Sequence, residues 1–151
     1  GMKANMLKDL DLAYAPPFSS AKDPVNMAGF MIENIRNGFM KQYHWDEIAG
    51  LPRDGSVTLL DTRTAYEYKS GHIDGYINIP VDDLRERMNE IDDSKSVYVI
   101  CQSGLRSYIA CRILTQNGFD CYNFSGGYRF YASVIKEKEM SEYTYPCGME
   151  K

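Results

Sequence analysis

From Gln42 onward the chain alternates short β-branched and aromatic runs with helix-like stretches, and this alternation limits the fold more than any other feature. The runs "QYHW", "VTLLDT", "YINIP", "VYVIC" and "CYNFS" are each followed by a helical pattern, beginning near Asp46, Thr64, Asp82, Gly104 and Gly127. Near-continuous apolar strands separated by helices predict an α/β fold with a parallel sheet covered on both faces. In the helix after Asp82, Leu84, Met88 and Ile91 mark the buried side. In the helix after Gly104, Leu105, Tyr108, Ile109 and Ile113 are expected to do so, with Gly118 as the stop.

Residues 1–40 follow a different pattern and are read as a separate loop-helix appendage, before a main domain at 41–140 and a tail at 141–151. "DLDLAYAPPFSSAKDP" is rich in turn formers, and the Pro16-Pro17 pair excludes a helix across it. Asp23 sits where an N-cap belongs and Pro24 at the first helical position, which predicts a helix from about 24 to 38. Val25, Ala28, Ile32, Ile35 and Phe39 form an apolar stripe, widened by Met27, Phe30 and Met31. A stripe that wide needs a partner surface, so the helix is expected to dock on the main domain, pair with a second copy, or fray.

Charge and cysteine usage narrow the function classes. With 17 basic against 21 acidic residues, and the basic ones scattered, nucleic acid is not an expected partner. No apolar run approaches the ~20 residues that cross a bilayer, and no leader pattern opens the chain, so a cytoplasmic protein without membrane contact is expected. Cys101, Cys111, Cys121 and Cys147 contain no C-x-x-C pair, and His44 and His72 are the only histidines, so no metal site is predicted. A disulfide framework is not expected either, and each cysteine is judged by its surroundings.

Cys101 has the most informative surroundings. In "CQSGLRS" (101–107) it ends an apolar strand at the sheet edge where α/β folds bind ligands, just before a small-residue turn and a helix. Gln102, Ser103, Gly104 and Leu105 can curl so that their backbone N–H groups, with that of Arg106, point inward as a nest for an anion. The helix dipole adds to the effect. The anion can be the cysteine sulfur itself, because a thiol beside a helix N-terminus and an arginine ionises below the usual ~8.5. Arg106 would then hold a bound oxyanion while the sulfur attacks, and no general base is needed. Burial of Cys101 with its neighbouring amides turned elsewhere would contradict this assignment.

"LLDTRTAYEYKSGHIDGYINIP" (59–80), "VYVICQSGLRS" (97–107) and "NFSGGYRFY" (123–131) together resemble the rhodanese domain family, in the expected order across residues 42 to about 140. The resemblance implies a five-stranded parallel sheet flanked by helices, and a sulfurtransferase in which Cys101 takes a sulfane sulfur from a small-molecule donor and passes it to a thiol acceptor. Cys101 to Arg106 is C-x-x-x-x-R, the loop length of rhodaneses, whereas dual-specificity phosphatases use one residue more. The shorter ring suits one sulfur better than a phosphoryl group. In similar domains the positions of Asp61 and Arg63 support the active-site rim, a helix cap and a surface ion pair being equally open alternatives. His72 matches a scaffold histidine and is expected to make a structural hydrogen bond. Glu67 packs or pairs nearby, Arg129 adds positive charge over the pocket or lies on the surface, and Cys111 and Cys121 belong to the core. A non-catalytic binding module of the same fold is the alternative, disfavoured by the presence of Cys101.

The segment "DLDLAYAPPFSSAKDPVNMAGFMIENI" resembles the C-terminal end of the dimerisation domain in flavin-dependent pyridine nucleotide-disulfide oxidoreductases, particularly coenzyme A disulfide reductases. It implies a fragment of a longer parent: a coenzyme A disulfide or persulfide reductase with a fused rhodanese domain, using FAD, NAD(P)H and coenzyme A. Reductase domains of that parent, or a second copy in a homodimer, would be its partners. No G-x-G-x-x-G fingerprint is present, so neither FAD nor NAD(P)H is expected on this chain alone. Tyr14 matches a tyrosine near the partner subunit's active site in such enzymes. Among sulfane sulfur donors, thiosulfate, polysulfide, glutathione persulfide and coenzyme A persulfide all remain open.

Overall fold

The computed structural model describes residues 2–12 and 23–142, with side chains described as far as Lys138. The chain divides into two compact units, residues 1–41 and 42–151. Tyr14 and Cys147 lie outside the described residues.

The first unit pairs a 3₁₀ turn, Ala4–Asp9, with helix α1, Pro24–Arg36. Asp23 caps α1 through its carboxylate, which accepts the Val25 N–H at 2.8 Å, and Pro24 takes the first helical position. Gly29 allows the turn to touch the helix: a β-carbon there would lie 2.2 Å from the Lys8 nitrogen. Asn26 Nδ2 then donates to the carbonyls of Leu7, Lys8 and Leu10, and Lys8 pairs with Glu33. This backbone partner for α1 was not visible in the periodicity. Val25, Met27, Met31, Ile35 and Phe39 remain exposed along α1 and just past it, so the turn covers the Asn26 and Gly29 side and leaves most of the apolar stripe outward.

The second unit is built on a five-stranded sheet of order β1-β5-β4-β2-β3, with β1 Lys41–Tyr43, β2 Thr58–Asp61, β3 Ile77–Asn78, β4 Val97–Ile100 and β5 Cys121–Phe124. β2 runs parallel to both β3 and β4, and β4 parallel to β5, as the helical crossovers require. The crossovers are α2 Ala65–Lys69, α3 Leu84–Arg87 and α4 Leu105–Gln116, and α5 Gly127–Glu142 follows β5. The helix expected after Asp46 is only a 3₁₀ turn, Ile48–Gly50; Gly50, Pro52 and Gly55 deny it length.

Strand alternation divides the core. Leu60, Val97, Val99 and Cys121 pack on one face with Leu84, Ile91, Ala110, Cys111, Ile113 and Leu114. Leu59, Ile100 and Phe124 pack on the other with Tyr43, Ile48, Ile73 and Tyr76, joined by Tyr98, Tyr122, Tyr128 and Tyr131. Of the expected α4 stripe, Ile113 is buried and Tyr108 half-buried, but Leu105 and Ile109 are not. Ser107, Ala110, Cys111, Ile113 and Leu114 are the buried residues of the helix, whereas Leu105 is 66% and Ile109 42% exposed. Small side chains let the helix backbone approach the sheet closely, and that contact outweighs the hydrophobicity of Leu105 and Ile109.

Candidate functional site

Cys101 follows the last residue of β4, and the strand end is anchored from β2. Thr62 donates both its N–H and its Oγ1 to the Ile100 carbonyl, at 2.9 and 3.0 Å. Gly104, the N-cap of α4, adopts φ +105°, a left-handed conformation that a β-carbon disfavours. This twist brings the Gly104 N–H to 3.1 Å from Cys101 Sγ. Helical side chains tilt toward the N-terminus, so Ser107, in the first turn of α4, reaches back to the same atom. Its Oγ lies 3.2 Å from Sγ and 3.1 Å from the Gly104 carbonyl. Cys101 is 0% exposed, so the burial half of the contrary condition set by the sequence is met; the other half is not, because the Gly104 N–H still faces the sulfur and, with Ser107, replaces water around it.

The cradle is therefore smaller on one side, and larger on the other, than the sequence predicts. Gly104 turns its amide to Sγ, but the amides of Gln102, Ser103, Leu105 and Arg106 are not hydrogen-bonded to it. The start of α5 fixes the direction of two of these amides. Tyr128 N–H donates to the Cys101 carbonyl at 2.8 Å and Arg129 N–H to the Gln102 carbonyl at 3.2 Å. A trans peptide points its C=O and N–H in opposite directions, so these bonds turn the amides of Gln102 and Ser103 away from α5. Gly127 makes the approach feasible: its φ is +69°, and a β-carbon there would stand 2.6 Å from Gln102 and Ser103 backbone atoms.

Two ion pairs flank the loop. Arg106 gives Nη1 and Nη2 to the two carboxylate oxygens of Glu67, each at 2.7 Å, in a fork-to-fork pair. Glu67 is held ready for this by α2, where it closes a capping box with Thr64. The Arg106 guanidinium, followed by the Thr64 hydrogen bonds, pushes the Glu67 carboxyl down to about 2. The Arg106 pKa is raised in return, first by its hydrogen bonds to Glu67. Glu67 thus pairs nearby as the sequence led one to expect, and its partner is Arg106, a cation already orientated by that carboxylate.

Beneath the loop, Asp61 and Arg63 form a pair that is neither a surface bridge nor a helix cap, since Thr64 caps α2. Arg63 Nη2 meets Asp61 Oδ2 at 2.7 Å and the Gly71 carbonyl at 2.8 Å, while Nε donates to both Asp61 oxygens. The guanidinium carbon lies 3.9 Å from the centre of the Tyr128 ring, and Nη1 makes a long 3.4 Å contact to Gln102 Oε1. Asn78 Nδ2 closes the turn by donating to the carbonyls of Asp61 and Arg63. This buried network joins β2, β3, the active loop and α5.

Arg129 contributes its backbone N–H to the loop and has an exposed side chain. His72 is exposed, with Nδ1 3.1 Å from the Tyr68 carbonyl and its ring stacked on Tyr68, a scaffold contact. Cys111 and Cys121 are buried free thiols, and the Cys111 pKa is raised first by its hydrogen bond with Cys121 and then by burial. Ser107, Tyr128 and Gly127 escaped the sequence reading, although a serine three residues past a helix N-cap is placed to face the preceding loop. Among the described residues no group of His, Cys, Asp or Glu could hold a metal ion, and no helix is long and apolar enough to cross a membrane.

Comparison with known proteins agrees with this architecture. The solved structure of reduced Bacillus anthracis CoADR-RHD aligns with 90% of this chain at 44% identity and a TM-score of 0.84, and a NAD-dependent persulfide reductase from A. fulgidus with 86% at 37% identity and 0.71. This chain spans only 24% and 23% of those two proteins. A Bacillus subtilis relative named putative sulfurtransferase YtwF is 33% identical over 85 residues, 56% of this chain and 82% of that protein. The Rhodanese-like domain model matches residues 44–133. With strand order, loop and sequence in agreement, the chain belongs to the rhodanese-like domain family.

Proposed function

We propose that this chain is a rhodanese-type sulfurtransferase domain in which Cys101 carries a sulfane sulfur as a persulfide. The observation that carries this reading is the Cys101 sulfur itself. It sits at the carboxyl edge of the sheet, received by the Gly104 N–H at 3.1 Å and the Ser107 hydroxyl at 3.2 Å. Donors fixed before reaction stabilise sulfur anion without reorganisation. In the first half-reaction the Cys101 thiolate attacks the sulfane sulfur of a donor, whose leaving group departs with the bonding pair. In the second, a thiol acceptor, as its thiolate, attacks the outer sulfur and Cys101 regains the pair. The hydrogens of Arg106 not used by Glu67 orient the donor, and Asp61, Arg63 and the α5 start hold the loop.

The parent is a larger protein in which this domain hands sulfur to a coenzyme A disulfide or persulfide reductase. The alignment of both units with about a quarter of two solved chains supports that placement. FAD, NAD(P)H and coenzyme A would be bound by the parent's other domains, and the domain would work in the cytoplasm. Incubation with thiosulfate, polysulfide, glutathione persulfide or coenzyme A persulfide, followed by mass spectrometry, tests the reading. At least one donor should add a single sulfur atom to Cys101, and none to the Cys101→Ser variant. Equal thiosulfate-to-cyanide turnover in both proteins would remove the assignment.

A further inference from the structure

Ser107 is 0% exposed and its hydroxyl has two acceptors within reach, Cys101 Sγ at 3.2 Å and the Gly104 carbonyl at 3.1 Å. A hydroxyl has one proton, so it serves one of them well at a time. The Gly104 carbonyl does not depend on it, because that oxygen already accepts the Tyr108 N–H at 3.1 Å. The proton can therefore swing to the sulfur without orphaning a buried acceptor. We propose that Ser107 is a catalytic residue, whose hydroxyl follows the charge on Cys101 Sγ and stabilises that sulfur as the leaving group of the transfer step.

The charge on Sγ changes through the cycle that this proposal takes from the function above. As a thiolate, Sγ is an anion and draws the Ser107 proton. After the thiolate attacks the donor, Sγ becomes a bridging divalent sulfur, the charge moves to the outer sulfur, and the hydroxyl turns to the Gly104 carbonyl. When an acceptor thiolate attacks the outer sulfur, a new S–S bond forms, the Sγ–S bond breaks, and its electron pair returns to Sγ. Cys101 is reduced to thiolate as the acceptor becomes a persulfide. The Ser107 proton swings back as that charge develops, so its interaction is stronger in the transition state than in the persulfide ground state. The loading step differs: a hydrogen bond that stabilises the thiolate also lowers its nucleophilicity, so the two effects oppose each other.

The test compares the full chain with its Ser107→Ala and Ser107→Thr variants by two readouts. Alkylation of Cys101 by iodoacetamide is followed across pH by mass spectrometry. Separately, protein loaded with sulfur from thiosulfate is discharged to cyanide in a single turnover. Ser107→Ala should move the alkylation midpoint up by about one pH unit and slow discharge about ten-fold, with loading at alkaline pH not slowed. Ser107→Thr, which keeps the hydroxyl, should stay close to the parent. An unchanged midpoint, or an unchanged discharge rate, in a folded Ser107→Ala protein would overturn the proposal. Failure of the parent to take up sulfur would instead remove the sulfurtransferase reading, while the alkylation profile still reports on the Ser107 contact.

Discussion

The Asp61–Arg63 and Glu67–Arg106 pairs contain the same chemical groups at the same 2.7 Å separation, on either side of one loop. Their surroundings differ. Side chains of the first pair are 1–2% exposed, those of the second 29–30%. Burial makes the first pair costly to break, because either charge left alone would be unpaired in the interior; it ties β2 to Gly71, Tyr128 and the loop. Partial exposure makes the second adjustable. Water can replace either partner cheaply, so Arg106 can share its guanidinium with an incoming anion. Alike in composition, one pair maintains the site and the other can take part in its reaction.

Breaking the buried pair should have the largest effect. Asp61→Asn leaves Arg63 enclosed without a counter-charge and should cost about 3–5 kcal/mol in urea unfolding. A loss below about 1 kcal/mol would mean that the pair is no more structural than its exposed counterpart. Gly127→Ala tests the anchor of the loop that lies between the two pairs. A β-carbon 2.6 Å from the Gln102 backbone, at a φ of +69°, should cost about 1–3 kcal/mol and lower sulfur transfer by displacing the loop. Crystals showing residues 101–104 unmoved in that variant would refute the anchoring role.

Opening the exposed pair should affect stability less than activity. Glu67→Gln should change the unfolding free energy by less than about 1 kcal/mol, yet reduce turnover roughly ten-fold because Arg106 is no longer orientated. The smallest effect is its pH dependence. Glu67 titrates near 2 when folded against an ordinary 4.5, so its stabilisation is complete above about 4.5 and is lost as pH falls through 2. Asp92 is also held at about 2, by Ser94 and Lys95, so the quantity to follow is the difference between parent and Glu67→Gln protein. That difference should shrink between pH 4.5 and 2; a constant difference would place the contribution of Glu67 outside its ion pair.

Much of the fold was legible because local signals agreed. β4 is an unbroken run of Val, Tyr, Val and Ile, β2 and β5 each keep apolar residues at their centre or ends, and Asp23-Pro24 marks the start of α1 by side-chain chemistry alone. The α4 stripe misled because Leu105 and Ile109 are more apolar than Ser107 and Ala110, whereas the sheet selected the narrower face. The cysteine loop was legible as a place, but Ser107 was not legible as part of it. Its place three residues past the N-cap told which way it would face, but not that the loop would bring the sulfur within its reach.

The alternating pattern and the run from Cys101 to Ser107 determined, without any coordinates, that a parallel sheet would present a cysteine at its carboxyl edge before a helix. Periodicity and turn chemistry are local, and the sequence contains them in full. Tertiary structure decided which amide reached the sulfur, that α5 would fix the loop by its carbonyls, and that one arginine would be buried and the other half-exposed. Those outcomes depend on contacts between segments tens of residues apart, such as Glu67 with Arg106, whose strength is set by burial that no single segment controls.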